Sequence, residues 1–468
     1  MQKSKYFGDR AFYRYVLGLA VPIIIQNFIT NFLSMLDNLM VGTLGTASMS
    51  GVSVANQFLF VYMLAVFGLV SGAGIFGAQY AGNNDPQGLR NTFRFKVIAG
   101  LLLMFFFCWF FAVANEELIG LYLKGDGDEA LRAETLAIAK KYMLIMLVGL
   151  YPAAMTQAYS STLRETGQTK VPMAASITGV AVNLIGDYVL IFGKFGAPRL
   201  EVAGAAVATV FARFVELAVL IIWTHTHTSE GLINFASGAY RSFKVPLSLV
   251  SNIIRKGTPL MLNEVIWAAG MTRLTQCYSL RGMDVVAAFS ISQTFWGLFG
   301  TIFLSMGATV GIVLGQKLGA GDMKEVKYTA YKLVVLGFFI SIATAVLYII
   351  ASQFVPELYS TTPEVKRIAT RLMMIASIAM PADSICNSTY FAVRSGGKTI
   401  ITFIMDAGFV WAALVTTASI LVHFTALSVF WIYFVIQLLN YVKAAIGVYL
   451  TMEGKWINNL INENAQPA

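Results

Sequence analysis

The chain has 468 residues, of which 57% are hydrophobic and only 12% charged. A soluble domain is roughly a quarter charged, so there is too little polar surface here to coat globules of this total size. That excludes a disordered chain, a coiled coil, a disulfide scaffold and an ordinary soluble enzyme, and makes the bilayer the solvent for most of the chain. The net charge is +9. Without a basic cluster interleaved with aromatics it points to cytoplasmic loops and anionic headgroups, not to nucleic acid. Cys108, Cys277 and Cys386 lie in apolar stretches and read as small buried hydrophobes. Residues 1–15 are polar and basic, unlike a cleavable signal peptide.

A hydrocarbon core about 30 Å thick needs about 20 apolar helical residues. Twelve such stretches are predicted: 15–41, 52–80, 93–114, 136–160, 171–192 and 202–223, then 258–280, 286–316, 330–351, 368–391, 399–421 and 426–452. Turn chemistry separates them, as at Gly42–Gly45, Gly82–Pro86, Gly193–Pro198, Gly319–Asp322 and Ser395–Lys398. With the N-terminus in the cytoplasm, the cytoplasmic segments hold about twice as many Lys and Arg as the outer ones. Lys3, Lys5, Arg10, Arg14, Arg241, Lys244, Arg255, Lys256, Lys317, Lys324 and Lys327 fall inside. The acidic group Glu116, Glu117, Asp126, Asp128 and Glu129 falls outside. An even number of spans returns the C-terminus to the cytoplasm.

The polar stretch 225–256 separates two sets of six spans. A shift of about 237 positions aligns them over the first two spans without a gap. Pro22 falls on Pro259, Gly45 on Gly282, Gln79 on Gln316, Gly82 on Gly319 and Asp85 on Asp322. After a small gap, Arg164-x-x-Gly167-x-Thr169 matches Arg394-x-x-Gly397-x-Thr399. The expected organisation is an N-lobe (1–224), a cytoplasmic linker (225–256) and a C-lobe (257–468). Because each half has an even number of spans, the repeats insert the same way up, and two such lobes around a central cleft suit alternating access. No phosphate-binding loop accompanies them, so transport would draw on an ion or substrate gradient.

Ionisable groups inside spans are functional hypotheses by default. Asp37 lies on the first span, Asn183 and Asp187 share one face of the fifth, and Thr209 is on the sixth. At 1.5 Å per residue their depths agree to within about 5 Å. This oxygen-rich set suits Na⁺, or a proton held on a desolvated carboxylate. Interhelical hydrogen bonding is the plainer alternative. No other metal is implied. Glu264, Asp383 and Asp406 form a second level in the C-lobe, near Asn263 and Asn387, as a possible proton, cation or substrate site. Arg273 is placed to neutralise one of these acids, and Arg213 to pair with Glu216. Pro22 and Pro259, with Pro152 and Pro381, read as hinges or static bends. His225, His227 and His423 read as solvated, and no catalytic constellation emerges.

These residues resemble a known family. Asp37 followed by Val41-Gly42-x-Leu44-Gly45 is similar to the first-helix signature of the multidrug and toxic compound extrusion transporters. So are Gly77-Ala78-Gln79-Tyr80-Ala81-Gly82-Asn83-Asn84-Asp85, the pair Asn183-x-x-x-Asp187, Ala208-Thr209-Val210 and the repeat Gly315–Asp322. Asp383, eleven positions before Arg394, is similar in spacing to the tenth-helix acid of family members that couple through the C-lobe, and Asn263-Glu264 and Asp406-x-x-x-x-Trp411 look like a bacterial subgroup. The resemblance implies an all-α, 6+6 membrane fold without cofactor or enzymatic activity. It implies efflux of drugs, organic cations or amphiphiles in exchange for Na⁺ or H⁺, by a monomer in the inner (plasma) membrane. Glu264 stands closer to Pro259 than that pattern leads one to expect, which weakens the C-lobe assignment. The alternative within transport is a lipid or lipid-linked precursor flippase of the wider superfamily, which needs a cationic lining.

Overall fold

The computed structural model describes residues 5–122 and 129–463. Lys3, Asp126 and Asp128 lie outside the described residues. The expected all-α membrane fold is what the chain forms. The long helices are α1 (Arg10–Gly42), α2 (Thr46–Gly82), α3 (Pro86–Tyr122) and α4 (Glu129–Val148 continued by Leu150–Glu165). Then come α5 (Lys170–Phe192), α6 (Val202–Thr226), α7 (Leu247–Ser279) and α8 (Met283–Gly319). α9 (Met323–Phe354), α10 (Pro363–Ser395), α11 (Thr399–Phe424) and α12 (Val429–Glu453) complete the set. At 37 residues, α2 and α8 reach about 55 Å, so their ends stand well clear of a hydrocarbon core.

Ten of these helices are long and apolar enough to cross a membrane. α4 makes an eleventh, bent by 45° between its two segments at Gly149. α7 is the twelfth. Its 33 residues are ample, but Arg255, Lys256, Asn263, Glu264 and Arg273 dilute its apolar character. It also begins earlier than its hydrophobic pattern predicts, so residues 247–256 of the expected linker are helical. In α11 the backbone widens into π-helical turns at Ile404–Gly408 and Val410–Val415. Such turns shift side chains relative to a regular helix and recur at functional positions.

The duplication is written in the backbone. α1 and α7 are both 33 residues, α2 and α8 both 37, α6 and α12 both 25. Repeat-equivalent turn residues share left-handed backbone: Gly45 and Gly282 (φ 105° and 127°), Asn84 and Gly321 (52° and 78°), Gly167 and Gly397 (89° and 76°).

Packing divides the chain into two compact units. One holds Ile25–Gly77 and Asp85–Ser251. Its core joins Leu59, Tyr62 and Val66 of α2 to Phe107 and Phe111 of α3, Tyr142 and Met146 of α4, and Ala206 of α6. The 3₁₀ turns Gly231–Ala236 and Ala239–Arg241 fold back onto α3. There Arg90 donates to the Phe235 carbonyl at 3.0 Å, and Arg94 to the Ala239 and Gly238 carbonyls at 2.8 and 2.9 Å. Much of the linker is therefore bonded to protein.

The other unit holds Met1–Ile24, Ala78–Asn84 and Asn252–Ala468. One division, at Ser251/Asn252, falls within the expected linker 225–256; the others place the start of α1 and the loop after α2 in this unit. Val16, Leu19, Ala20 and Ile23 of α1 share a core with Met306, Val310, Leu314 and Leu318 of α8, which carries the start of α1 into this unit. Pro22 lies inside α1 just before that division, and Pro259 inside α7. The repeated loop motifs meet in the same unit. A Cβ on Gly82 would lie 1.9 Å from the Gln316 carbonyl oxygen, and one on Gly319 would lie 1.8 Å from that of Gln79. Only glycine at both places permits this reciprocal contact. Gln79 is also bonded to the C-terminal segment: its amide donates to the Ser395 and Asn458 carbonyls and accepts from the Leu460 N–H.

Candidate functional site

The N-terminal polar residues come together. α5 and α6 approach closely enough that a Cβ on Gly186 would lie 2.9 Å from that of Ala208. This brings the neighbouring Asp187 and Thr209 onto one interface. The Asn183 Nδ2 donates to Asp187 Oδ2 at 3.2 Å and to Thr209 Oγ1 at 3.4 Å. Asp187 is fully buried and Asn183 is 4% exposed. The Asp37 carboxyl, from α1, reaches hydrogen-bonding distance of the Asp187 carboxyl. Two carboxylates contain no donor, so this contact calls for a shared proton or a cation between them. Oδ1 of each aspartate is buried with no hydrogen-bond partner among the described residues.

That donor set fits a hard monovalent cation or a proton. Among the described residues no group of three or more His, Cys, Asp or Glu is placed to hold a metal ion. A Na⁺ here would draw on the two carboxylates, Thr209 and Asn183. In this arrangement Asn183 presents its NH₂ to Asp187, so lending its carbonyl oxygen to an ion means turning the amide over. Tyr142 of α4 lies within electrostatic reach of both aspartates and donates to Asn56 Oδ1 at 3.3 Å. Sequence reasoning missed it, because a tyrosine in an apolar run carries no signal of its own.

Arg213 does not pair with Glu216 as expected. Glu216 accepts from Ser176 Oγ, whereas Arg213 extends past Gly149 toward Tyr62 and Tyr142. Ser176 also accepts from Gln26 Nε2 at 2.8 Å, and Gln26 Oε1 accepts from Arg164 Nη2 at 2.9 Å. A further buried pair lies in the same unit. Lys96 Nζ meets the Glu165 carboxylate at 2.7 and 2.8 Å and donates to Ser161 and Thr162. Its residues fall at the predicted ends of spans, where charges look solvated.

The C-terminal acids are also brought near one another, with partners the sequence did not suggest. Asp406 Oδ1 pairs with Lys443 Nζ of α12 at 2.6 Å, and Oδ2 accepts from Asn263 Nδ2 at 2.9 Å. Asn263 Oδ1 accepts in turn from the Ala407 N–H at 3.2 Å, within the widened turn of α11. Asp383 faces Lys443 electrostatically. Glu264 lies beside Asn263 and faces Arg394 and Asp406. Asn387 instead donates to the Leu304 carbonyl at 2.8 Å. Arg273 donates to Gln276 on its own helix, so the neutralising cations are Lys443 and Arg394. A lysine inside an apolar run was the available signal for this.

The histidines are more engaged than expected. His225 Nε2 lies 3.0 Å from Tyr159 Oη, itself 2.6 Å from Tyr240 Oη, and His227 stacks on Trp223. His423 bonds the Ser419 carbonyl.

A family model described as MatE matches residues 22–189 and again 259–417, one match per repeat and together well over half the chain. The chain is 21% identical to a protein of Thermotoga maritima named probable multidrug resistance protein NorM, covering 94% of this chain and 92% of that one. It is 24% identical to the multidrug resistance protein MdtK of Yersinia pseudotuberculosis, over 80% and 79%. A solved structure described as an outward-facing MATE family multidrug resistance transporter of the MOP superfamily shares its fold. The TM-score is 0.84 at 21% identity, over 98% of this chain and 99% of that one. A crystal structure described as MATE in complex with MaL6 aligns at a TM-score of 0.86 with 19% identity and the same coverage.

Proposed function

The chain belongs to the MatE family, and from that premise we propose that it is a cation-coupled exporter. In this reading it removes small organic molecules, often cations or amphiphiles, in exchange for Na⁺ or H⁺. It resides in the inner membrane as a monomer with both termini cytoplasmic. The observation that carries the reading is the contact of two carboxyl groups, Asp37 and Asp187, each with a buried unpartnered oxygen. They lie against each other and Asn183, and neither makes a salt bridge with a lysine or arginine among the described residues. The missing positive charge is then supplied from solution.

Occupation changes what holds α1 to α5. With a proton or ion between them, Asp37 and Asp187 attract; without it, two buried negative charges repel. A ligand shifts a conformational equilibrium only by its differential affinity for the two states. Here that difference resides in whether α1 stays against α5 and α6. An organic cation favouring the opposite arrangement lowers the affinity for the ion, and the ion lowers the affinity for it, as linkage requires. Exchange follows without the two cations meeting. Bending of α1 and α7 at Pro22 and Pro259 belongs to the same proposal.

The test is transport in proteoliposomes with the Na⁺ and pH gradients set independently. Asp37→Asn should insert and fold normally, yet lose at least about 10-fold in ion-driven efflux, equivalent to ~1.4 kcal/mol. Unchanged efflux by well-folded Asp37→Asn protein would sink the assignment.

A further inference from the structure

The two repeats place polar side chains at matching positions. Gln26, Ser176 and Glu216 in the first correspond to Asn263, Asp406 and Lys443 in the second, on α1, α5, α6 and α7, α11, α12 respectively. Each trio is bonded in the same order. Gln26 donates to Ser176, which bonds Glu216; Asn263 donates to Asp406, which bonds Lys443. The chemistry differs: a hydroxyl between an amide and an acid in one, a carboxylate between an amide and an ammonium in the other.

We infer that Lys443 is a tethered cation that fills the carboxylate site of the C-terminal repeat, so that this repeat takes up no coupling ion. This rests on the reading of Asp37 and Asp187 as the coupling site, and it assigns the number of ions per cycle to one lysine. Both Asp406 oxygens are engaged, one by Lys443 and the other by Asn263. Asn263 cannot swing away freely, because its own oxygen is fixed by the Ala407 N–H. Lys443 is 8% exposed and faces a second carboxylate, Asp383. The third acid, Glu264, faces the guanidinium of Arg394, which lies over the Tyr390 and Phe391 rings. Asp406 is ion-paired with Lys443, Asp383 also faces Lys443 and Glu264 faces Arg394, whereas neither Asp37 nor Asp187 is ion-paired among the described residues.

A Na⁺ or proton arriving from solution must compete with an ammonium already held there by its own side chain. Tethering gives that ammonium a high effective concentration. Removing it leaves Asp406 and Asp383 without the ammonium that both face. The site is thus a latent monovalent-cation site, closed by Lys443.

The experiment counts ions bound to purified protein, using equilibrium binding of radioactive Na⁺ and, in parallel, proton uptake in weakly buffered solution. The wild type is expected to bind one ion, lost in Asp37→Asn. Lys443→Met is expected to gain a second, which survives Asp37→Asn and disappears when Asp406→Asn is added. A second ion in the wild type that survives Asp37→Asn would overturn the inference. So would a monodisperse Lys443→Met protein that gains nothing. Should Lys443→Met fail to fold, Asp406→Asn on the wild-type background decides. The ion count stays the same if Lys443 already holds that carboxylate, and falls by one if an ion does. If Asp37→Asn leaves the wild-type count unaltered, the reading of Asp37 fails. The gain on Lys443→Met still decides the role of the lysine.

Discussion

The Lys96–Glu165 pair offers a direct measure of how dry the interior of the first unit is. Lys96 Nζ lies 2.7 Å from Glu165 Oε1, and the two side chains are 0% and 6% exposed. Two neighbouring hydroxyls, Ser161 and Thr162, take up the remaining ammonium hydrogens. On the other side the carboxylate presses on α2, where a Cβ at Gly77 would lie 2.0 Å from Glu165 Oε2. Lys96→Met removes the ammonium and strands the carboxylate against that glycine. Breaking a buried pair in this way costs about 3–5 kcal/mol, whereas replacing both partners by groups of similar volume is often neutral. Lys96→Met should therefore destabilise the folded protein by ~3–5 kcal/mol, and the double variant Lys96→Met/Glu165→Leu should recover most of that loss. Glu165→Gln, which keeps an acceptor for the ammonium, should fall in between. Reversible unfolding in mixed micelles, read by tryptophan fluorescence, gives each value and the coupling energy of the cycle. A loss below ~1 kcal/mol for Lys96→Met, the range of exposed pairs, would refute the reasoning, because it would mean that water reaches the pair.

Three other outcomes follow from the packing. Trp456 is 2% exposed, and its indole N–H donates to the Thr451 carbonyl at 3.1 Å, so Trp456→Ala should cost about 3–5 kcal/mol by thermal unfolding. Arg94→Ala removes two charge-assisted hydrogen bonds to the 3₁₀ turns, worth about 1.5–3 kcal/mol each. Limited proteolysis should then cut within residues 231–241 while sparing wild-type protein. Gly319→Ala sets a methyl against the Gln79 carbonyl oxygen, and backbone there cannot yield as a side-chain end would. A loss of about 1–3 kcal/mol or more is expected, read as a lower melting temperature, and the equivalent Gly82→Ala should match it.

The fold was legible because the bilayer imposes a simple code. A span must be long, apolar and helical, and a duplicated chain repeats its turns at fixed offsets. The limits of that code appear at α7, where polar and charged residues dilute the hydropathy, and at α11, where the widened turns leave no trace in composition. Packing was less legible. The start of α1 looks like any other apolar helix, and nothing in its composition assigns Val16, Leu19 and Ile23 to a core with α8. The cluster of Asp37, Asn183, Asp187 and Thr209 was legible because a carboxylate in an apolar run is conspicuous. Lys443 was overlooked because its helix was read for hydrophobicity. Lys96 and Glu165 were overlooked because charges near helix ends normally reach water.

The matching trios give this a physical cause. A duplication fixes where in a repeat a polar side chain will face its neighbours, since helix length and turn position are inherited together. It leaves open which charge stands there, because a hydrogen bond can be kept while donor and acceptor change. Glu216 and Lys443 occupy one inherited position with opposite charge, and each has the partner its charge requires: Ser176 donates to the first, and Asp406 accepts from the second. Replacing half-buried Glu216 or Asp406 alone would strand its buried partner, Ser176 or Lys443, at a cost of about 1–3 kcal/mol for the neutral hydroxyl and more for the charge. The two positions in each repeat are therefore expected to change together. Asp406→Ser with Lys443→Glu, which builds the first repeat's pair into the second, should fold better than either single substitution. Equal or greater instability of the double variant, measured by the same unfolding assay, would show that the inherited position does not set the interaction.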